Sequence, residues 1–176
     1  MSLPPQELLP FPSMRTAVYP GSFDPMTNGH FDIIGRGTRI FDRVIIAVLE
    51  NEGKAPLFSV AERMDLLREC TETFPTVEIQ SFSGLLVDFM KRVDANVVVR
   101  GIRAVSDFEY EFQMALMNRE LSSDAETIFM MPAVEYSYVS SRLVKEVFRL
   151  GGDIRRLVPL PVLRKLSDRL AMPAHV

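Results

Sequence analysis

Val44-Ile45-Ile46-Ala47-Val48-Leu49 is a run of six apolar residues, four of them β-branched, with no polar interruption. A strand with one wet face alternates apolar and polar side chains. An unbroken run therefore predicts a strand covered on both faces, as in a parallel sheet. Outward from it, Thr16–Tyr19, Val77–Gln80, Val97–Val99 and Thr127–Met131 read as four further strands. Helical spacings fall between them: Phe31, Ile34 and Phe41, then Val60, Met64 and Leu67. Ser59-Val60-Ala61-Glu62 and Ser106-Asp107-Phe108-Glu109 each have the form of a capping box, in which serine and glutamate satisfy amides left free at a helix start. Strands alternating with helices predict an α/β fold, a doubly wound five-stranded parallel sheet with helices on both faces. Ligands in such sheets bind beyond the carboxyl ends of the strands, so the loops that follow the strands carry the chemistry.

Composition narrows the function classes. The chain has 176 residues, with 20 basic against 23 acidic side chains, two histidines and one cysteine. That length suits one domain. A lone cysteine forms no internal disulfide, and with two histidines it cannot supply a Cys/His zinc site. A net charge of −3 opposes broad neutralisation of nucleic acid. No apolar run approaches the ~20 residues of a membrane-spanning helix. The expectation is a cytoplasmic protein acting on small molecules, with neither nucleic acid nor membrane as partner. Residues 1–13 contain four prolines and no basic residue, lack the charged start of a secretory signal, and read as a poorly ordered extension. Met14 is then the candidate natural start, residues 14–171 a single domain, and 172–176 a flexible tail. Met114, Met117, Met130 and Met131 read as packing residues, and Cys70 as an inert thiol.

Tyr19-Pro20-Gly21-Ser22-Phe23-Asp24-Pro25-Met26-Thr27-Asn28-Gly29-His30 follows the first strand. Pro20 and Pro25 restrict the backbone, Gly21 permits a sharp turn, and Thr27 or Asn28 can cap the next helix. His30 then falls in the first helical turn, where free amides and the helix dipole favour anions. The same positive end disfavours imidazolium, which suits a neutral His30 offering one N–H donor. Gly-His by itself is compatible with an ordinary turn and a surface histidine; the whole loop at a strand end points to a phosphate site. Arg100 and Arg103 follow Val97–Val99 and flank Gly101, as an anion clamp would. Lys54 lies in the connection after the second strand. Ser140 or Ser141 can cap a helix that runs to Leu150 and stops at Gly151-Gly152, giving a second phosphate-binding helix start.

Thr27-Asn28-Gly29-His30 resembles the T/HxGH segment of the nucleotidylyltransferase superfamily. Arg100-Gly101-Ile102-Arg103 through Glu111, with Ser137-Tyr138-Val139-Ser140-Ser141-Arg142 through Glu146, resemble bacterial phosphopantetheine adenylyltransferases in particular. The likeness runs in order from about Arg15 to about Leu170. It implies a Rossmann-like sheet, usually in a homohexamer. It further implies reversible transfer of AMP from ATP to 4′-phosphopantetheine, giving dephospho-CoA and pyrophosphate in coenzyme A synthesis. Residue by residue, it assigns catalysis to His30, Lys54, Arg103 and Ser22. It assigns ATP contacts to Ser22, Phe23, His30, Gly101, Ile102, Arg103, Glu111, Tyr136, Ser137, Tyr138, Val139, Ser140, Ser141 and Arg142. Ser22, Lys54, Leu86 and Arg100 are assigned to phosphopantetheine. Tyr136 departs from the pattern, since tryptophan is frequent there. Mg²⁺ is expected with ATP, without a dedicated ligand visible in the sequence. Coenzyme A as a feedback inhibitor is a further partner of such families.

The chemistry fits these residue types. The attacking group is a phosphate whose second pKa is about 6, so it is already mostly dianionic at neutral pH and needs no strong base. In-line positioning of two anions and stabilisation of developing charge are what the protein must supply. A nicotinamide-dependent oxidoreductase would place G-x-G-x-x-G after the first strand, whereas Gly35-Arg36-Gly37 lies within the helix pattern. No G-x-x-x-x-G-K-[ST] occurs, which disfavours a P-loop kinase. The alternatives left open are another nucleotidylyltransferase, such as one acting on nicotinamide mononucleotide, and a catalytically silent nucleotide-binding subunit.

Overall fold

Five parallel strands form one sheet in the order β3-β2-β1-β4-β5. They are β1 (Thr16–Gly21), β2 (Arg43–Leu49), β3 (Val77–Phe82), β4 (Val97–Gly101) and β5 (Glu126–Met130). Helices α1 (Asn28–Gly37), α2 (Val60–Thr71), α3 (Leu86–Arg92), α4 (Val105–Leu121), α5 (Ser141–Arg149) and α6 (Leu160–Arg169) complete the fold. This computed structural model describes residues 14–50, 56–103 and 105–169. The five predicted strands and the doubly wound architecture are all present. Lys54, the N-terminal extension and the C-terminal tail lie outside the described residues.

Strand β2 is covered on both faces, as its sequence demands. Val44, Ile46 and Val48 pack with Ala17, Tyr19 and Val99 against Ile33, Ile34, Leu67, Val144 and Leu166. Ile45 and Ala47 face the other way, with Val18 and Val98, onto Val87, Phe89 and Met90. The order of the strands reverses between β1 and β4, and there the ladder is short. β1 pairs with β2 from Thr16↔Arg43 to Gly21↔Val48, but with β4 only at Ala17↔Val97 and Val18↔Val98. Beyond Val18 the two strands part. The crevice at this switch point is where a doubly wound sheet offers a ligand site.

Three local expectations need correction. Ser59 and Glu62 do form a reciprocal capping box, but α4 already begins at Val105, so Ser106 lies inside its first turn. The buried face of α2 carries Arg63, Leu66, Leu67 and Thr71; Val60 and Met64 sit at its margin. Met130 is buried, whereas Met114, Met117 and Met131 are exposed and are not core residues. The apolar residues of α4 alternate with polar ones and so fall all round the helix instead of on one buried stripe; Phe108, Phe112, Leu116 and Leu121 are exposed as well.

Leu67 is fully buried beneath the sheet, so Leu67→Ala is expected to lower the unfolding free energy by about 2–5 kcal/mol in urea denaturation. Arg68→Ala, which removes only an exposed pair with Asp65, is expected to change it by less than about 0.5 kcal/mol.

Candidate active site

The loop from β1 to α1 is held by its own side chains. Thr27 is the N-cap, and the reciprocal partner three residues on is His30, taking the place of the usual glutamate. The Thr27 N–H donates to His30 Nδ1 at 3.0 Å. That bond requires an unprotonated Nδ1, so the neutral ring carries its proton on Nε2. Burial, then the charges of Arg103 and Arg100, push the His30 pKa down to about 4. The predicted neutral donor is thus present, with burial and arginine charge as its cause where the sequence suggested the helix dipole. Asn28 does not cap; its side chain donates to the Arg156 carbonyl at 2.9 Å. Left-handed backbone falls at Phe23, with φ of 47°, and not at Gly21. Gly21 instead makes room: a Cβ there would lie 3.0 Å from the Phe23 ring. Phe23 in turn packs edge-on against His30, with centroids 5.1 Å apart.

Both arginines after β4 reach this region, but neither is free. Arg100 Nε donates to Glu111 Oε2 at 2.6 Å and its Nη2 to Oε1, while Nη1 donates to the Pro20 carbonyl at 2.8 Å. Arg103 pairs with Asp107 at 3.0 Å and donates to the Val139 carbonyl at 3.0 Å. Helix α4 thus presents carboxylates to the two guanidinium groups in forked geometry, which is also the geometry a phosphate takes. Gly101 between them packs closely on α1: a Cβ would lie 2.6 Å from Ile33 Cδ1, so the tip of that side chain would have to shift to admit one.

A second polar cluster lies beside the first, and sequence reasoning assigned it no role. Asp24 is buried; Oδ1 accepts from the Phe58 N–H, and Oδ2 from the Leu57 N–H and from Lys145 Nζ at 2.6 Å. Burial raises the Asp24 pKa, but Lys145 and the two amides together outweigh it and leave it lowered. Buried Arg63 donates to the carbonyls of Ser22, Leu49 and Phe58. A signal existed: Arg63, Leu66 and Thr71 share one helical face, and a charge on an apolar face needs buried partners.

Two cavities meet at the crevice. The larger, about 700 Å³, is lined by Leu49, Leu86, Tyr110, Met114, Met117 and Leu121, with Arg63, Arg142 and Lys145. The smaller, about 290 Å³, is lined by Phe23, His30, Gly101, Arg103, Val139 and Ser140. Ser22, Arg100, Glu111 and Ser141 line both. Ser140 caps α5 through the Leu143 N–H at 3.1 Å, and the Ser141 hydroxyl donates to the Pro25 carbonyl at 2.6 Å. Ile102, Tyr136, Ser137 and Tyr138 line neither cavity, although Tyr136 packs on Gly29 beside His30, where a Cβ would lie 3.5 Å from its own. Cys70 is remote from the cavities, and burial raises its pKa to about 12, consistent with an inert thiol.

The cytidylyltransferase-like family model matches residues 18–147. Proteins named phosphopantetheine adenylyltransferase from Dictyoglomus turgidum and Moorella thermoacetica are 53% and 55% identical to the chain, each over 89% of it and 98% of the relative. The chain belongs to the phosphopantetheine adenylyltransferase family. A crystal structure from Vibrio parahaemolyticus assigned as a nicotinate-nucleotide adenylyltransferase is similar in fold, with a TM-score of 0.65 at 16% identity, covering 89% of this chain and 94% of that one. The nucleotidyltransferase identity of the family accords with a crevice built from arginines, helix starts and a neutral histidine.

His30 is expected to remain neutral, with its proton on Nε2, from pH 8 down to about pH 5, in ring ¹⁵N NMR assigned with a His30→Gln variant. A titration near pH 6.5 overturns that assignment. Because its pKa is lower folded than unfolded, the unfolded chain binds the additional proton between about pH 6.5 and 4, and His30 lowers stability as the pH falls through that window.

Proposed function

We propose that this chain transfers AMP reversibly from ATP to 4′-phosphopantetheine, releasing dephospho-CoA and pyrophosphate. The observation that carries the proposal is the meeting of two unlike cavities at Ser22 and Arg100. The larger, with leucine and methionine walls, suits a long, mainly apolar arm, and Leu86 is among its lining residues. The smaller, with His30, Arg103 and the capped start of α5, suits a triphosphate. Arg100 and Ser22 at the junction suit the acceptor phosphate.

In this scheme no residue removes a proton from the nucleophile, since the phosphate is already a dianion for the most part. His30 Nε2–H donates to the transferring phosphoryl oxygen as charge accumulates there. Arg103 neutralises the nucleotide phosphates, and Arg100 grips the acceptor phosphate, each guanidinium exchanging a carboxylate of α4 for phosphate oxygens. Lys54, by its place in the sequence, bridges the two substrates. Phe23, Glu111 and Val139–Arg142 complete the nucleotide contacts, with Gly101 and Ile102 giving backbone. Tyr136, Ser137 and Tyr138 contribute from the 3₁₀ turn Val134–Tyr136 and the residues after it. Among the described residues no cluster of three His, Cys, Asp or Glu side chains could hold a metal. Mg²⁺ brought in with ATP would supply charge neutralisation at the nucleotide phosphates.

Assembly into a homohexamer is supported by α4, where Phe108, Phe112 and Leu116 repeat at four-residue spacing and all are exposed in the single chain. Light scattering is expected to give a mass of about six chains, and Leu116→Glu to reduce it; a monomeric parent protein refutes this assembly. No described helix is long and apolar enough to cross a membrane. Cytoplasmic action and inhibition by coenzyme A at the larger cavity complete the proposal.

Purified protein with Mg-ATP and 4′-phosphopantetheine is expected to yield pyrophosphate and dephospho-CoA in equal amounts. Turnover only with nicotinamide mononucleotide would refute the acceptor while keeping the chemistry. His30→Ala is expected to lower kcat by about 10²–10³ with ATP binding still measurable by calorimetry.

A further inference from the structure

Arg63 is 3% exposed, and among the described residues it belongs to none of the ion pairs. Its bonds go to neutral carbonyls. Nη1 donates to Ser22 at 2.7 Å and to Leu49 at 3.3 Å, and Nε donates to Phe58 at 3.1 Å and to Ser59 at 3.4 Å. Leu49 ends β2 and Phe58 immediately precedes the cap of α2, so one side chain grips both ends of that connection as well as the loop after β1. From the opposite side, Asp24 takes the Phe58 N–H whose own carbonyl Arg63 holds.

Burying a guanidinium against carbonyls is costly: the Asp24 and Glu50 carboxylates favour its charge without pairing with it, and the loss of hydration outweighs them. A methionine or leucine on this face of α2 would pack without that cost. What the arginine adds is a fixed position for the Ser22 carbonyl, one residue before the left-handed Phe23. Ser22 is exposed above this floor and lines both cavities. A flexible lysine could hold one such carbonyl, but only a planar fork spans several.

We propose that Arg63 is a positioning residue for adenylyl transfer: by tying the Ser22 carbonyl to those of Leu49 and Phe58, it sets the Ser22 hydroxyl at the junction of the two cavities. The proposal rests on the function proposed above. It involves no contact between Arg63 and substrate.

The test is a double-mutant cycle on the full-length protein, with Arg63→Met and Arg63→Lys in the parent and in Ser22→Ala. Both Arg63 variants are expected to lower kcat at least tenfold in the parent, and less than threefold in Ser22→Ala, since the residue they misplace is already truncated. Lysine keeps the charge but not the fork, so it is expected not to rescue. A parent-like kcat in Arg63→Lys, or an equal loss with and without the Ser22 hydroxyl, overturns the proposal. So does a lowered melting temperature with kcat unchanged, the signature of a structural role alone. Should Arg63→Met fail to fold, Arg63→Lys carries the same cycle. If the parent protein itself transfers no AMP, the proposed function fails. Calorimetric binding of pyrophosphate then decides for Arg63: at least threefold weakening in both variants supports positioning, and unchanged binding overturns it.

Discussion

The Asp24 carboxylate sits between three segments that are remote in sequence and accepts a donor from each of the other two. Leu57 and Phe58 give their amides from the segment just before α2, and Lys145 gives its ammonium from α5. Each partner is needed because the site is buried. An ionised carboxylate withdrawn from water is tolerable only when its oxygens are filled, and removing one member of such a pair typically costs about 3–5 kcal/mol. The Ser141 hydroxyl reinforces the same junction by donating to the Pro25 carbonyl. The loop that carries Ser22, Phe23 and His30 is therefore fixed from outside as well as by its own capping box. Phe23 can keep a left-handed backbone there because its ring is buried against Tyr19 and His30.

Much of the fold was legible because a parallel sheet announces itself in continuous apolar runs. Val44–Leu49 alone implied cover on both faces, and the observed packing of Val44, Ile46 and Val48 to one side and Ile45 and Ala47 to the other follows from strand geometry. The site was legible where a residue type has one chemical use at that place, as for His30 and the arginines after β4. Asp24, Arg63 and Lys145 were not, because their partners are backbone groups or charges far along the chain, and hydrogen bonds to carbonyls leave no pattern in sequence. Helix α4 misled for a different reason. Its methionines and phenylalanines look like core, yet in the single chain they form cavity wall and exposed surface.

The arginines show how a slightly acidic protein can prepare a phosphate site. Arg100 with Glu111, Arg103 with Asp107 and Lys145 with Asp24 are formally neutral pairs, so three of the five described cations that line the two cavities carry no unbalanced charge. Arg63 is held by carbonyls without an ion pair. In the proposed reaction, phosphate reaching Arg100 or Arg103 would exchange one forked, charge-assisted contact for another, and only the difference between the two would contribute to affinity. The guanidinium groups are meanwhile already oriented, Arg100 by the Pro20 carbonyl and Arg103 by that of Val139. Neutral His30 follows from the same arrangement. Burial and, after it, two nearby arginines oppose a charge on the ring, while the Thr27 amide on Nδ1 leaves Nε2–H as the donor. A histidinium there would bind phosphate more strongly before reaction as well as during it. A neutral donor strengthens its bond as charge develops, which is the condition for lowering a barrier and not merely a dissociation constant.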